Sequence, residues 1–328
     1  MGSDMAILLL FQHWSAPCWI AKSGRRFGFA NSRKEKFMQQ HPWFSNGKTG
    51  LIQMGRQFVK MHGLRNDFVI VDGRETPYAP CVEEIIHICD RHEGIGADEL
   101  LVVGPPISGN AYAFLRIINP DGREVEACGN ATRCVGWLLL QESGHKEITV
   151  ETPGGQLRCR DAGDKSVAVE MGRVRTGWQD IPLSREMDTL HLGIGAGPLQ
   201  DPVGMNIGNP HAVFFVDDLP GVDLTRYGPQ LQKDPLFPQE ANIGAAQLID
   251  PETLRLSVWE RPGVLTTACG TGACVAVAAA HRRGLTTERL MTVIMPAGSV
   301  EIELKEDGTV VMTGLAETCY TGFLPVIG

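Results

Sequence analysis

The sequence has no apolar run long enough to cross a membrane as a helix, no C-x-x-C pair and no extended basic run. The N-terminal run AILLLF at 6–11 falls far short of the ~20 residues a spanning helix needs. It also lacks the preceding basic residues of a secretion signal. Lys and Arg number 30 against 38 Asp and Glu, a formal net charge of −8, so neither nucleic acid nor an anionic bilayer is an expected partner. Cysteines stand at 18, 81, 89, 128, 134, 159, 269, 274 and 319, odd in number and without metal-ligand spacing. That pattern argues against a secreted disulfide framework or a zinc ribbon and points to a reducing cytoplasm. There is no H-E-x-x-H, and GADELLVVG is followed by no glycine-rich phosphate loop. No metal or nucleotide cofactor is expected.

What is present is a repeat. The 328 residues suffice for about two domains. Four pairs of segments recur in the same order at separations of 141 to 145 residues. GLRNDFVIVD at Gly63 answers GNPHAVFFVDD at Gly208, and NPDGREVEACGN answers ERPGVLTTACGT. ETPGGQL answers IMPAGSV, and SVAVEMG answers TVVMTG. Self-similarity at a fixed offset marks two copies of one supersecondary unit. Runs rich in β-branched residues, such as DFVIVD, ELLVVG, AVFFVDD and TLRLSVWE, read as strands. CVGWLLLQESG and CVAVAAAHRRG read as buried helices closed by Gly144 and Gly284. Residues 1–54 show no such pattern and are expected to be an extension outside the fold, with Met54 a natural start.

Each repeat therefore places a cysteine, Cys128 or Cys269, just ahead of a buried helix. A helix N-terminus offers unpaired amides and the positive end of the macrodipole, which favour thiolate. The same amides, at Gly129–Asn130 and Gly270–Thr271, would bind a substrate carboxylate. Two such units face to face would set one sulfur on each side of an alpha carbon. One, as thiolate, would remove the proton and the other, as thiol, would return one to the opposite face. His211 and Glu260 are the candidates for tuning the pair. Cys134 and Cys274 fall inside the helices as packing residues. Cys18, Cys81, Cys89, Cys159 and Cys319 lack this context and read as structural.

The segments MHGLRNDFVIVD, NPDGREVEACGNATRC, MNIGNPHAVFFVDD, QEANIGAAQ and VWERPGVLTTACGTGA, in this order, closely resemble the diaminopimelate epimerase family over about 57–328. The resemblance implies an α/β fold of two pseudo-symmetric domains, each a mixed sheet wrapped around a central helix. The expected boundaries are 55–171 with 315–328 for one domain and 172–314 for the other. It implies inversion of one alpha carbon of LL-diaminopimelate to the meso form without pyridoxal phosphate or metal, in lysine and peptidoglycan precursor synthesis. Cys128 and Cys269 would be the acid/base pair, with His211 and Glu260 adjusting them. Asn66, Glu99, Asn119, Asn209, Asn242, Glu260 and Arg261 would contact substrate, the arginine gripping its second carboxylate. Tyr320 matches a tyrosine of the family's dimer contact, which implies a homodimer. Three positions depart from the family pattern: Arg65 and Pro262 stand where glycine is usual, and Glu99 where glutamine is usual. The alternative is a related cofactor-independent racemase acting on proline, hydroxyproline or another amino acid.

Overall fold

The computed structural model of the protein describes residues 55–126 and 128–324, so the expected extension, residues 1–54, and Cys18 lie outside the described residues. The first repeat folds as β1 (Gln57–Gly63), β2 (Asn66–Asp72), α1 (Val82–Cys89), β3 (Glu99–Gly104), β4 (Ala113–Ile118), β5 (Glu124–Val125), α2 (Gly129–Ser143), β6 (Glu147–Thr152), β7 (Gly155–Asp161) and β8 (Ser166–Arg173). The second begins after a short ribbon, β9 (Gly195–Ala196) with β10 (Leu199–Gln200). It runs through β11 (Val203–Asn206), β12 (Pro210–Phe215), α3 (Leu224–Gln232), β13 (Asn242–Asp250), β14 (Thr253–Glu260), β15 (Val264–Thr266) and α4 (Gly270–Arg282). β16 (Leu290–Met295), β17 (Gly298–Leu304) and β18 (Thr309–Leu315) complete it, and β19 (Glu317–Phe323) follows.

The repeats share a topology. An antiparallel pair opens each (β1 with β2, β11 with β12), and a parallel neighbour follows (β3 beside β2, β13 beside β12). In each, the cysteine-bearing turn leads into the long helix, and an antiparallel meander closes around it. The two sets of strands are joined edge to edge. β18 pairs with β8 from Leu315–Ser166 to Thr309–Arg173, and β19 returns to pair with β1.

Composition explains why the long helices sit inside. α4 carries the run ACVAVAAA, apolar on every side, and its residues 273–280 are all buried. A helix apolar all round is stable only when enclosed, and alanine lets strands approach closely. α2 buries Ala131, Cys134, Val135, Leu139 and Leu140 against β1, β2, β4 and β6 to β8. Cys134 and Cys274 are fully buried, as expected of packing residues. Gly144 ends α2 in the left-handed conformation at φ 69°, and Gly284 has the same φ after α4. The reading of Cys81 and Cys319 as structural needs correcting: both thiols are exposed, Cys81 at the start of α1 and Cys319 on β19, an edge-facing strand. α1 and α3, not anticipated from the sequence, cover the outer faces of the sheet. Among the described residues no helix is long and apolar enough to cross a membrane.

The departure at Arg65 has a structural cost. Gly63 pairs directly with Asn66, so Leu64 and Arg65 form a two-residue hairpin loop, with φ of 55° and 63°. Positive φ at both loop residues is the primed turn that suits hairpin twist, and glycine is its usual occupant. Arg65 pays a steric penalty of about 1 kcal/mol there. Arg65→Gly is therefore expected to raise stability by up to roughly 0.5 kcal/mol once glycine's extra unfolded-state freedom is subtracted. Denaturant melts of the two proteins check this, and a lower midpoint for the glycine variant would contradict it.

Candidate active site

The same backbone event builds both halves of the site. Cys128 and Cys269 are the N-caps of α2 and α4, with closely similar extended backbones (φ −142°, ψ 115° and φ −133°, ψ 105°). The residue after each is glycine, and a larger one would press on methionine side chains. A Cβ on Gly129 would lie 2.5 Å from Met312 Cε, and one on Gly270 would lie 3.1 and 3.2 Å from Met312 Sδ and Cε. One methionine thus separates the two helix N-termini, which meet in the interior. Asn130 reinforces this: its Oδ1 would lie 4.0 Å from that same Cβ on Gly270.

The surroundings of the two sulfurs differ. Cys269 Sγ accepts from the Gly272 N–H at 3.3 Å and lies 3.5 Å from Thr271 Oγ1. Glu260, at the end of β14, places its charge near the Cys269 sulfur and accepts from Thr266 Oγ1 at 3.1 Å. Cys128 Sγ points instead at an acceptor, Asn66 Oδ1, 3.7 Å away. That amide is held on both sides. Asn66 Nδ2 donates to Asp98 Oδ2 at 3.2 Å, and Asn66 Oδ1 also receives Asn130 Nδ2 at 3.2 Å. Asn130 Oδ1 in turn accepts from Arg133 Nη2 at 2.7 Å.

The expectation that helix ends would lower the thiol pKa values is reversed. Both are raised well above the ordinary cysteine value, first by burial and then by a neighbouring carboxylate, Glu99 for Cys128 and Glu260 for Cys269. The amides of Asn130 and Ala131 and the Arg133 charge pull Cys128 down, and Thr271 with the Gly272 amide pulls Cys269 down. Desolvation of the anion outweighs them. The carboxyls are displaced too. Burial raises Glu260, and burial with the charges of Asp98 and Glu260 brings Glu99 up to about 7.

His211 also departs from expectation. Fully buried on β12 and near the Arg261 charge, its imidazole is pushed down to about 3 and is neutral. Its Nε2 lies 2.9 Å from Asn209 Oδ1 and 3.3 Å from Asn242 Nδ2 rather than against a sulfur. It reaches Cys269 only through a relay, Asn209 Nδ2 donating to Thr271 Oγ1 at 3.3 Å. Asn242 Oδ1 accepts the Arg261 N–H at 2.9 Å, while the Arg261 guanidinium donates to Gln239 O at 2.9 Å. Asn119 closes the turn after β4 through its backbone, with Gly122 N donating to its carbonyl oxygen at 2.9 Å. Tyr320 lies apart on β19, packed edge-to-face on Phe58, its hydroxyl 3.4 Å from Ile95 O.

Sequence reasoning missed Arg133 and Met312. Arg133 is fully buried, with Nη1 3.2 Å from Met312 Sδ and Nε without a partner. Gly63 and Gly314 leave it room, since a Cβ at either would come within 3.1 or 3.2 Å of the guanidinium. A basic residue among the buried positions that open the helix was the available signal.

The model of the family described as diaminopimelate epimerase matches residues 58–177 and 203–319, segments that open at β1 and β11, the first strands of the two repeats. The chain belongs to the diaminopimelate epimerase family. A diaminopimelate epimerase of Rhodospirillum centenum is 49% identical over 271 residues, spanning 83% of this chain and 93% of that one. One from Acidiphilium cryptum is 44% identical over 82% of this chain and 96% of its own length. Solved structures place this family member's fold more widely. A PhzF-family phenazine biosynthesis protein of Bacillus anthracis superposes with a TM-score of 0.60 at 17% identity, covering 83% of this chain and 99% of that one. A hydroxyproline epimerase from Agrobacterium vitis gives 0.60 at 16%, covering 84% and 93%. These likenesses establish the two-domain mixed α/β fold, each domain a sheet around a central helix.

Proposed function

We propose that the protein inverts one alpha carbon of LL-2,6-diaminopimelate to give the meso form, using Cys128 and Cys269 as a two-base pair. The observation that carries the reading is the meeting of two cysteine-capped helix N-termini across Met312. The amides of the first turns, at Gly129–Asn130 and Gly270–Thr271, receive the carboxylate of the reacting carbon. A thiolate on one face takes the alpha proton, breaking C–H and forming S–H. The thiol opposite gives its proton to the other face, and the electron pair left on carbon forms the new C–H bond. After one turnover the sulfurs have exchanged protonation states, which suits a reversible reaction. A raised thiol pKa makes each thiolate a stronger acceptor for a carbon-bound proton but a scarcer one near neutral pH, so the neighbours that favour thiolate count toward the rate.

Asn66, Asn119, Asn209, Asn242 and Arg261 surround the remainder of the substrate in this reading, with Glu99 and Glu260 beside the sulfurs. Asparagines offer both donors and acceptors to an ammonium beside a carboxylate. Arg261 exchanges its bond to Gln239 O for a bidentate grip on the distal carboxylate. A single-headed substrate such as proline or hydroxyproline would leave Arg261 without that partner. The boundaries of the two domains fall at 171/172 and 314/315, the protein acts in the cytoplasm, and a homodimer forms through the face carrying Tyr320. The product feeds lysine and peptidoglycan precursor synthesis.

The test is incubation of the reduced protein with LL-diaminopimelate in deuterium oxide. Meso product carrying deuterium at the inverted carbon is the expected result, with at least a ~100-fold preference over proline and hydroxyproline from the lost arginine pair. Absence of both exchange and inversion would overturn the reading.

A further inference from the structure

The repeat leaves Cys128 without an obvious acid, because Asn119 stands where the second half has Glu260. A carboxyl reaches it from elsewhere. Glu99 is the first residue of β3, held by parallel pairing with Phe68 of β2 and adjacent to Asp98, whose carboxylate binds the Asn66 amide that faces Cys128, and its charge acts on the Cys128 thiol. Glu99 Oε2 is buried and has no hydrogen-bond partner. The thiol therefore has two acceptors before it. Asn66 Oδ1, at 3.7 Å, is where its proton now points. That oxygen is fixed by the bonds of its amide to Asp98 and Asn130, and an amide accepts a hydrogen bond without taking the proton. A carboxylate takes it.

We infer that Glu99 is the proton acceptor that converts Cys128 from thiol to thiolate, so that each sulfur is served by a carboxyl of its own, Glu99 for Cys128 and Glu260 for Cys269. This rests on Cys128 being one of the two acid/base groups and gives Glu99 a role beyond substrate contact. In the transfer, S–H breaks and O–H forms on Glu99, and the pair carries one negative charge before and after. A thiolate thus arises in a buried pocket without a second charge being added, where desolvation is otherwise the main obstacle. The groups facing the pair are Arg133 and the Asn130 and Ala131 amides on the sulfur side, and Asp98 and Glu260 on the carboxyl side. The first set favours thiolate. The second disfavours a second anion and so favours the proton on Glu99. The glutamine usual in the family could donate to the sulfur but could not accept its proton.

The experiment titrates Cys128 without substrate. In a Cys269→Ala background, the rate of iodoacetamide labelling at Cys128 is followed by peptide mass spectrometry from pH 5 to 10, which separates it from the exposed Cys81 and Cys319. With Glu99 present, the pair loses its first proton near pH 7 and the rate levels off above it, because the second ionisation must put two charges side by side. In Glu99→Gln no such plateau is expected. The rate keeps climbing tenfold per pH unit, so the variants match near pH 6 and the glutamine form is about tenfold faster by pH 8 and about 100-fold faster by pH 9. Glu99→Asp should retain the plateau, showing that an ionisable group rather than shape produces it. Superimposable profiles for Glu99 and Glu99→Gln would overturn the inference. Because no diaminopimelate is used, a plateau in a protein without epimerase activity would reject the proposed substrate while leaving the Glu99–Cys128 pair intact.

Discussion

Cys128→Ala and Cys269→Ala are each expected to lower epimerisation at least about 10³-fold, the upper range of what a positioned acid or base contributes. Neither loss should stop proton exchange altogether. A two-sulfur site is chemically divisible, since the surviving thiolate still faces one side of the alpha carbon. In each variant, deuterium from solvent should enter one stereoisomer with retention and leave the mirror-related centre untouched. The two variants should choose opposite isomers. Chiral chromatography with mass detection reads both events from one incubation. Alanine costs little structurally here, because each cysteine is an N-cap whose backbone, not its sulfur, begins the helix, and only Cys269 makes a cap bond, from the Gly272 N–H. Full activity in either variant, or both exchanging the same isomer, would remove the two-base mechanism.

Arg133→Met should separate activity from stability. The guanidinium is fully buried, and among the described residues no carboxylate lies within ion-pair distance of it. Burial lowers its pKa, a direct sign that the charge is costly where it stands. Replacing a buried charge by an apolar chain of similar volume is commonly neutral or stabilising. The melting temperature of Arg133→Met is therefore expected to hold or rise. Activity should move the other way. Arg133 sets the orientation of Asn130, which fixes Asn66, which faces Cys128, and its charge favours the Cys128 thiolate. Loss of both effects should reduce kcat roughly 10- to 100-fold at neutral pH, and the rising limb of the pH profile should shift alkaline. Thermal melts and a pH–rate series decide it. Unchanged kcat would show that the charge has no part in the chemistry.

Much of this site could be read in advance because duplication doubled the signal. Cys128 and Cys269 gain meaning from each other, and the helices behind them are called by alanine, leucine and closing glycines. Individual partners were less legible. His211 looked like a tuner of thiols by its residue type, yet burial neutralises it and two asparagines hold it. The thiol pKa values were misjudged in sign because a sequence advertises the helix end but not how dry its surroundings are. Glu99 and Cys128 are 29 positions apart in the chain, and only the parallel register of β2 and β3 brings the acid to the sulfur. Arg133 was overlooked because a charge on a helix ordinarily marks a solvated face. The exposed thiols of Cys81 and Cys319 carry no local pattern that tells surface from core. Short α1 and α3 owe their form to the sheet they cover rather than to periodicity of their own.

The return of β19 to β1 bears on how the molecule is made. A ribosome delivers β1 and β2 early, but the strand that covers the other side of β1 emerges only after the whole second repeat has been synthesised. The first repeat must wait through that interval with an open sheet edge, and β8 waits likewise for β18. Unpaired edges invite wrong partners. The sheet of the first repeat is therefore complete only when the last strand of the chain has been made.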